Sequence, residues 1–314
     1  MKLVVQIPCL NEEATLPLVL KSIPQKIPGI DEIVILVIDD GSTDQTVAVA
    51  KKHGVKHFVR HVRNQGLGRS FHDGVLMALE LGADIVVNTD GDNQYPQDRI
   101  SDLVQPILAE RADIVIADRQ THTIEHFSAT KKLLQRFGSA VVNEAAGTKV
   151  PDAASGFRAY SREALLRLNT ISRFSYCTET IIQAAYKGLH IESIPVETNP
   201  PTRESRLFKS TSEHVRKSGI TIIRAYIMYR PYIVFGWLGG LLFAAGLVPF
   251  ARFAYYSLQA GTTRGHIQSL LVGSLLMIAA FLCLVLNIVA DLIRINRILT
   301  EDDLEQTKRL RFGN

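Results

Sequence analysis

Two long uncharged apolar runs near the carboxyl terminus constrain this chain more than any other feature. Residues 233–251 and 267–290 form stretches of 19 and 24 residues without Asp, Glu, Lys or Arg. A helix of roughly 20 residues crosses the hydrocarbon core of a bilayer, so each run is long enough to span it. The alternative is a pair of buried core helices. We predict a membrane hairpin, with transmembrane helices at 231–256 and 266–293.

The positions of Lys and Arg predict how this hairpin is oriented. The stretch between the two spans has only Arg252 and Arg264, whereas both flanks are rich in cations. The positive-inside rule therefore places both flanks on the cytoplasmic side of the cell membrane, including the tail at 294–314. A two-span hairpin buries little surface alone, which leaves a homo-oligomer as an open alternative. The flanking cations are Lys209, Arg216, Lys217, Arg224 and Arg230 before the hairpin, and Arg294, Arg297, Lys308, Arg309 and Arg311 after it.

The first 200 residues alternate between short apolar runs and helical stretches. Helical patterns cover residues 43–53, 69–81 and 97–110. Strands that alternate with such helices predict an α/β domain over residues 1–200, with a mostly parallel sheet covered on both faces. Ligands of such sheets bind beyond the carboxyl ends of the strands. The predicted strands are LVVQI, EIVILVID, KHFVRH, ADIVVNTD, ADIVIAD and HIESIPV.

Charge and motif content exclude several functional classes. The net charge is only +4 and there is no basic arm, so we expect no nucleic-acid partner. The three cysteines form no CxxC pair or zinc-type cluster. The chain has no P-loop motif, and Gly66-Leu67-Gly68 follows the third strand, which is the wrong context for a Rossmann dinucleotide site. We interpret this piece as a tight turn before a helix, with Arg69 available to a phosphate.

Acidic residues follow several of the predicted strands. Ser42 or Thr43 can cap the helix after the second strand, and Asp44 suits its first turn. These roles leave Asp39 and Asp40 unexplained. Acidic residues repeated along one rim of a sheet indicate a shared pocket for a polar ligand and a cation. The strand ends are PCLNEE at 8–13, DDGSTD at 39–44, DGDNQ at 90–94, and Asp118-Arg119.

The stretch Asp90-Gly91-Asp92 has two interpretations. An Asp-Gly pair is common in turns. Two carboxylates at a strand end can also hold Mg²⁺ or Mn²⁺, because these hard cations take oxygen ligands and share substrate phosphates. Gln94 would add an amide oxygen. Because acidic residues recur at the other strand ends, we predict a metal site built on this turn.

Taken in order, these motifs resemble those of the inverting glycosyltransferases of the GT-A type. The chain contains PxxNE, then DDGSTD, then the DxD variant DGD followed by NQYP, and then SGFRAYSREAL at 155–165. With its two apolar spans, it is most similar to the dolichyl-phosphate mannose synthase and undecaprenyl-phosphate sugar transferase group of glycosyltransferase family 2. The resemblance covers nearly the whole chain. It implies a Rossmann-like GT-A catalytic domain for nucleotide-diphosphate sugars.

On the donor side, the resemblance implies a nucleotide pocket and a metal site. Pro8, Leu10 and Glu12 would line the nucleotide pocket, and Asp39 would accept a hydrogen bond from the base. Asp90, Asp92 and Gln94 match the family's DxDxQ pattern. They would hold the metal and the nucleotide sugar, with Asp92 acting directly in catalysis.

On the acceptor side, the resemblance implies a site for a lipid phosphate. Arg119 matches a basic residue that faces this phosphate, and Arg136 and Ser139 belong to the equivalent helix. Arg206 lies in a piece that resembles the family's Ser-Lys-Leu.

The residues themselves add cations and a candidate base on the acceptor side. Arg203, Arg206 and Lys209 precede the hairpin within the juxtamembrane segment 201–230, and Arg suits bidentate phosphate contact. Attraction to anionic lipid is the alternative for these cations. A lipid phosphate is largely ionised at pH 7, because its second pKa is about 6, so it needs no protein base. Asp152 is the candidate if a base exists, and a plain loop residue is the alternative.

The expected function is transfer of a hexose-type sugar from a UDP- or GDP-sugar to undecaprenyl or dolichyl phosphate, with inversion. A processive polysaccharide synthase is disfavoured because the chain has no QxxRW motif and its only tryptophan, Trp237, lies in the first span. A non-catalytic nucleotide-sugar sensor or membrane scaffold is the alternative from another class. The intact acidic motifs argue against it.

Overall fold

The computed structural model describes residues 1–121, 129–170, 176–200, 231–260 and 267–313. These residues belong to two compact units. The first contains the sheet with its helices and the residues from Glu301 onward, and the second contains the carboxyl-terminal helices up to Thr300. The predicted juxtamembrane segment, with Arg203, Arg206 and Lys209, lies outside the described residues.

The first unit alternates strands and helices, as the apolar runs predict. All six predicted runs form strands, and one further strand, β6, comes from the SGFR motif region. The strands are β1 (Lys2–Cys9), β2 (Glu32–Asp39), β3 (His57–Arg60), β4 (Ile85–Asn88), β5 (Ile114–Asp118), β6 (Arg158–Ser161) and β7 (Ile191–Pro195). The helices are α1 (Leu16–Ser22), α2 (Thr46–Lys52), α3 (Leu67–Glu80), α4 (Ile100–Leu108), α5 (Ala129–Ala146), α6 (Arg162–Arg167) and α7 (Cys177–Tyr186), with a 3₁₀ turn at Gln97–Arg99 before α4.

The strands form one sheet in the order β3-β2-β1-β4-β6-β5-β7. The pairs are parallel except that β6 runs antiparallel to both of its neighbours, β4 and β5. Seven consecutive residues of β1 are buried, as expected for a central strand covered on both faces. The predicted α/β fold with a mostly parallel sheet is therefore confirmed. Because Cys9 pairs with Asp39, the carboxyl ends of β1 and β2 lie side by side.

Two long helices complete the described chain: α8 (Pro231–Ala260) and α9 (Ile267–Phe312). Both are long and apolar enough to cross a membrane by length and composition. Only 6% of the most apolar window of α8 and 17% of that of α9 is buried. Core helices of a soluble protein would be mostly buried, so this exposure favours membrane association. The predicted first span lies within α8, and α9 continues beyond the predicted end of the second span.

The last turns of α9 belong to the first unit and pack on α6. The Lys308 ammonium donates to the carbonyl oxygens of Leu165, at 3.1 Å, and Leu168, which lie at the carboxyl end of α6. Arg309 forms an ion pair with Glu163 in the first turn of that helix. Carbonyls at the end of a helix lack partners within it, so Lys308 supplies donors that α6 cannot. No motif in the sequence predicts these contacts of the tail.

Candidate active site

Asp39 and Asp40, at the end of β2, are buried and have different partners. Asp39 Oδ1 accepts the backbone N–H of Ser42 at 3.0 Å, and Arg60 Nε lies 3.6 Å from Oδ2. Asp40 accepts the backbone N–H groups of Gln65 and Gly66 at 2.8 and 2.9 Å. Asp40 therefore fixes the loop that leads into α3. Of the two carboxylates, Asp39 is therefore the one that does not bind this loop.

The prediction that Ser42 or Thr43 caps α2 was wrong. The helix begins later, at Thr46, and the Thr46 N–H donates to Asp44 Oδ1 at 2.9 Å. Ser42 Oγ instead accepts the backbone N–H of Asn11 at 2.9 Å. Asp44, predicted in the first turn, lies before the helix instead, and Ser42 ties the ends of β1 and β2 together.

The residues that follow β1 are held against the β2 loop. The backbone N–H of Glu12 donates to Thr46 Oγ1 at 2.8 Å, and the Thr15 hydroxyl donates to Glu12 Oε2 at 2.7 Å. Pro8 and Glu12 are buried and Leu10 is half-buried. The structure therefore brings the predicted nucleotide-pocket residues to the same edge of the sheet as Asp39.

The Asp90-Gly91-Asp92 turn packs directly on the end of β1. A Cβ at Gly91 would lie 3.0 Å from Cys9 Sγ and 3.2 Å from Glu12 Cγ, so a larger residue would fit only if these side chains shift. Asp92 Oδ1 accepts the backbone N–H of Gln94 at 3.1 Å, which orients this carboxylate. The first and fourth strand ends therefore meet, as the predicted shared pocket requires.

The donor set of this turn fits a hard divalent cation. Asp90, Asp92 and Gln94 are half-buried, and they offer two carboxylates and an amide within five residues. Mg²⁺ is usually bound by one or two carboxylates, with substrate phosphates and water completing its octahedron. Within the described part of the chain no three His, Cys, Asp or Glu side chains cluster at metal-binding distance. Asp90 and Asp92 would therefore supply only part of the ligands of the ion, and substrate phosphates and water would supply the rest.

A loop from the SGFR motif lies on the other side of Asp90. A Cβ at Gly156 would be 3.5 Å from Asp90 Oδ2 and 3.2 Å from the Tyr176 hydroxyl. The Gly156 N–H donates to the Tyr95 hydroxyl at 3.1 Å, and its carbonyl accepts from Asn88 Nδ2 at 3.0 Å. Burial raises the pKa of Tyr95, with Asp90 adding to the effect, so its hydroxyl keeps its proton. The SGFR and NQYP motifs are visible in the sequence, but the hydrogen bonds that join Gly156 to Tyr95 and Asn88 could not be predicted from them.

Arg119 and Asp152, which the sequence predicts on the acceptor side, form a bidentate ion pair. Arg119 Nε lies 2.7 Å from Asp152 Oδ2, and its Nη2 lies 3.0 Å from Oδ1. Burial alone would raise the pKa of Asp152, but Arg119 outweighs it by charge and hydrogen bonding and lowers that pKa below the usual value of an aspartate. A good general base has a pKa near the working pH. The geometry therefore favours Asp152 as the residue that holds Arg119, rather than as a proton acceptor.

The other predicted phosphate-binding residues are dispersed. Ser139 is buried, and its Oγ accepts the Ala153 N–H at 3.1 Å, which ties α5 to the loop after Asp152. Arg136 is exposed one turn earlier on α5. Arg69 Nε donates to Asp73 Oδ2 at 2.8 Å. Arg69 lines a cavity of about 660 Å³ between α3 and the end of α9, with Lys308 on its opposite wall. The ligand roles of these three residues stay predictions.

Comparison with known proteins identifies the family. The model of glycosyl transferase family 2 matches residues 4–168, more than half of the chain and all of the elements just described up to α6. The chain belongs to glycosyltransferase family 2. This match shows that the protein is a glycosyltransferase, and it agrees with the α/β fold.

Relatives within glycosyltransferase family 2 share most of their length with this chain. A UDP-N-acetylglucosamine–dolichyl-phosphate N-acetylglucosaminyltransferase of Methanococcus voltae is 29% identical over 213 residues, which cover 61% of this chain and 83% of that protein. An undecaprenyl-phosphate mannosyltransferase of Micrococcus luteus is 26% identical over 206 residues, covering 62% and 83%.

A solved structure shows the same GT-A fold. The glucosyl-3-phosphoglycerate synthase of Mycobacterium tuberculosis, in complex with Mn²⁺, uridine diphosphate and phosphoglyceric acid, aligns with a TM-score of 0.57 and 24% identity. The alignment covers 72% of this chain and 77% of that one. Another structure of that enzyme contains Mg²⁺ and uridine diphosphate. Divalent cations are thus found in GT-A neighbours of this protein.

Proposed function

We propose that this protein is a membrane-anchored glycosyltransferase that moves a hexose-type sugar from a UDP- or GDP-sugar to a polyprenyl phosphate, undecaprenyl or dolichyl, at the cytoplasmic membrane face. One observation carries the proposal. The Asp90-Gly91-Asp92 turn lies between the nucleotide-side residues at the β1 end and the loop that leads to the Arg119–Asp152 pair. A donor diphosphate needs a metal site beside the nucleotide pocket, and an anionic acceptor needs a cation such as Arg119 close to that metal site.

The two apolar helices and the relatives support a lipid acceptor. The two relatives described above are named for transfer to dolichyl phosphate and to undecaprenyl phosphate. A chain with two helices of membrane-spanning length meets such acceptors where their phosphates lie, at the bilayer surface. An enzyme acting on a soluble acceptor would leave these helices without a purpose.

The residues divide the chemistry between a donor side and an acceptor side. Asp90 and Asp92, with Gln94, would hold Mg²⁺ or Mn²⁺. When bound, this ion stabilises the charge that develops on the diphosphate leaving group. On the other side, the Arg119 guanidinium orients the acceptor phosphate by charge-assisted hydrogen bonds.

No protein base is needed in this scheme. An ionised acceptor oxygen attacks the anomeric carbon as the bond to the diphosphate breaks, and a single displacement inverts the configuration. Because a phosphate monoester has a second pKa of about 6, its nucleophilic oxygen is already deprotonated at pH 7. Asp152 keeps Arg119 in place and takes up no proton, which agrees with its lowered pKa.

The test is a substrate panel on the full chain in proteoliposomes. Radiolabelled UDP- and GDP-sugars are incubated with Mg²⁺ or Mn²⁺ and with undecaprenyl phosphate, dolichyl phosphate or 3-phosphoglycerate. We expect labelled product in the organic extract with a polyprenyl phosphate and none with 3-phosphoglycerate. The anomeric configuration of the product, read by NMR, should be opposite to that of the donor. A water-soluble product without lipid product would overturn the proposal.

A further inference from the structure

Arg158 is the largest side chain with no exposed surface in the described chain, and the scheme above leaves it without a role. It occupies the first position of β6, directly after the Gly156 loop. The hydrogen bonds of its guanidinium go to neutral groups, namely backbone carbonyls and hydroxyls, and no ion pair among the described residues includes it. Burying a cation without a counter-charge is costly, so such an arrangement needs an explanation.

The contacts of Arg158 tie the Asp152 loop to the start of α7. Its Nε donates to Ser155 O at 2.7 Å, and its Nη2 donates to Ala153 O at 2.9 Å. Its Nη1 donates to Cys177 O and to Thr180 Oγ1, both at 2.9 Å. The guanidinium therefore fixes two carbonyls of the loop against two oxygens of one helix.

The loop held in this way connects both sides of the candidate site. Asp152, the residue before Ala153, binds Arg119 on the acceptor side. Gly156, the residue after Ser155, lies beside Asp90 on the metal side, where a Cβ at position 156 would be 3.5 Å from Asp90 Oδ2. The spacing between the two sides therefore depends on the path of the chain from Asp152 to Gly156, and Arg158 holds that path at two of the three carbonyls in between, those of Ala153 and Ser155.

We propose that Arg158 is a positioning residue for sugar transfer, because it sets the separation of Arg119 and Asp90 through the loop between them. The inference rests on the proposed function for the identity of the two sides. Arg158 itself touches no substrate. A misplacement of about 1 Å at a site of this kind costs about 100-fold in rate, so an effect on turnover is expected without loss of the fold.

The experiment compares Arg158→Lys with Arg162→Lys in the full chain. Lys keeps the charge but cannot bridge four oxygens in a plane. Arg162 is the control, since it is partly buried and donates to two backbone carbonyls outside the loop, Ala83 O at 2.8 Å and Phe312 O. The readouts are kcat with both substrates saturating, KM for the nucleotide sugar, and the melting temperature.

We expect Arg158→Lys to lower kcat about 30- to 100-fold, with KM for the nucleotide sugar within about twofold, because the β1 and β2 ends do not depend on the loop. Arg162→Lys should keep kcat within about twofold. If both variants lose kcat equally, or if Arg158→Lys keeps kcat and only melts earlier, Arg158 is a stability residue and the inference is wrong.

If Arg158→Lys does not fold, a milder variant tests whether Arg158 is a positioning residue. Thr180→Val removes one acceptor of the guanidinium with little change in volume, and it should lower kcat about three- to tenfold at unchanged KM for the nucleotide sugar. Wild-type kcat in this variant would overturn the inference. Failure of the proposed function appears separately, as a wild-type enzyme that does not glycosylate polyprenyl phosphate. The variants are then compared on the acceptor that the wild type does use.

Discussion

At the scale of single residues, the Arg119–Asp152 pair makes a specific prediction about pH. Because the pKa of Asp152 is lowered, its carboxylate stays ionised wherever an ordinary aspartate is ionised, and the ion pair is lost only as the pH falls through the lowered pKa. Any acidic limb of the rate profile between pH 5 and 7 then belongs to the acceptor phosphate, whose pKa is about 6.

Asp152→Asn separates this assignment from base catalysis. The variant should lower kcat/KM by a constant factor, about 10- to 100-fold from the loss of a charged hydrogen-bond partner for Arg119, and the acidic limb should keep its midpoint. The measurement is kcat/KM for the lipid phosphate from pH 5 to 8. Disappearance of the acidic limb in the variant would instead identify Asp152 as the base.

Asp92 makes a second prediction at this scale. Asp92→Asn keeps an oxygen that accepts the Gln94 N–H, so the turn should survive, but it removes one negative charge from the metal site. We expect the transfer rate to fall at least about 100-fold and the Mn²⁺ concentration for half-maximal rate to rise, because the metal contributes several kcal/mol to charge stabilisation. Asp98→Asn, an exposed carboxylate on the same connection, is the control. A rate within about twofold of wild type in Asp92→Asn would show that Asp92 holds no metal.

At the scale of elements, the sequence predicts strands well where they are buried on both faces. Six apolar runs gave six strands: β1, β2, β4 and β5 are rich in β-branched residues and largely buried, whereas the two edge strands, β3 (HFVR) and β7 (IESIP), are half-buried and include polar residues. β6 was missed because RAYS has no such pattern, and its antiparallel pairing depends on β4 and β5. The convergence of the acidic strand ends could be predicted, because parallel strands place their carboxyl ends at the same edge of the sheet. The pairing of Arg119 with Asp152, 33 residues apart, could not be predicted, since it depends on where the Gly156 loop lies.

The contact of α9 with α6 gives a prediction for elements. Lys308→Met removes the donor to two carbonyls at the end of α6, and leaving such groups without a partner costs about 1–3 kcal/mol. The melting temperature of the full chain in detergent should fall by several degrees. Arg311→Met is the control, because Arg311 is 61% exposed and its ion pair with Glu80 contributes about 0–1 kcal/mol. Equal shifts for the two variants would mean that the Lys308 contacts do not stabilise the first unit.

At the scale of the whole molecule, the charge pattern predicts that both ends of the hairpin face the cytoplasm. The stretch between the two uncharged runs, residues 252–266, should then face the other side, because it carries only Arg252 and Arg264. Since the native cysteines are buried, replacing them with Ala gives a background for single-cysteine variants. Thr262→Cys reports the connection and Asn314→Cys reports the carboxyl terminus.

A membrane-impermeant maleimide should label Thr262→Cys in intact cells and Asn314→Cys only in inverted vesicles. Detergent-permeabilised membranes, in which both should react, are the control for thiol reactivity. Labelling of both positions only in inverted vesicles would mean that the helices lie on the membrane without crossing it, and labelling of Asn314→Cys in intact cells would reverse the topology. Only the expected pattern places Asp90, Asp92 and Arg119 in the compartment where nucleotide sugars are made, because the sheet and the residues from Glu301 onward form one unit.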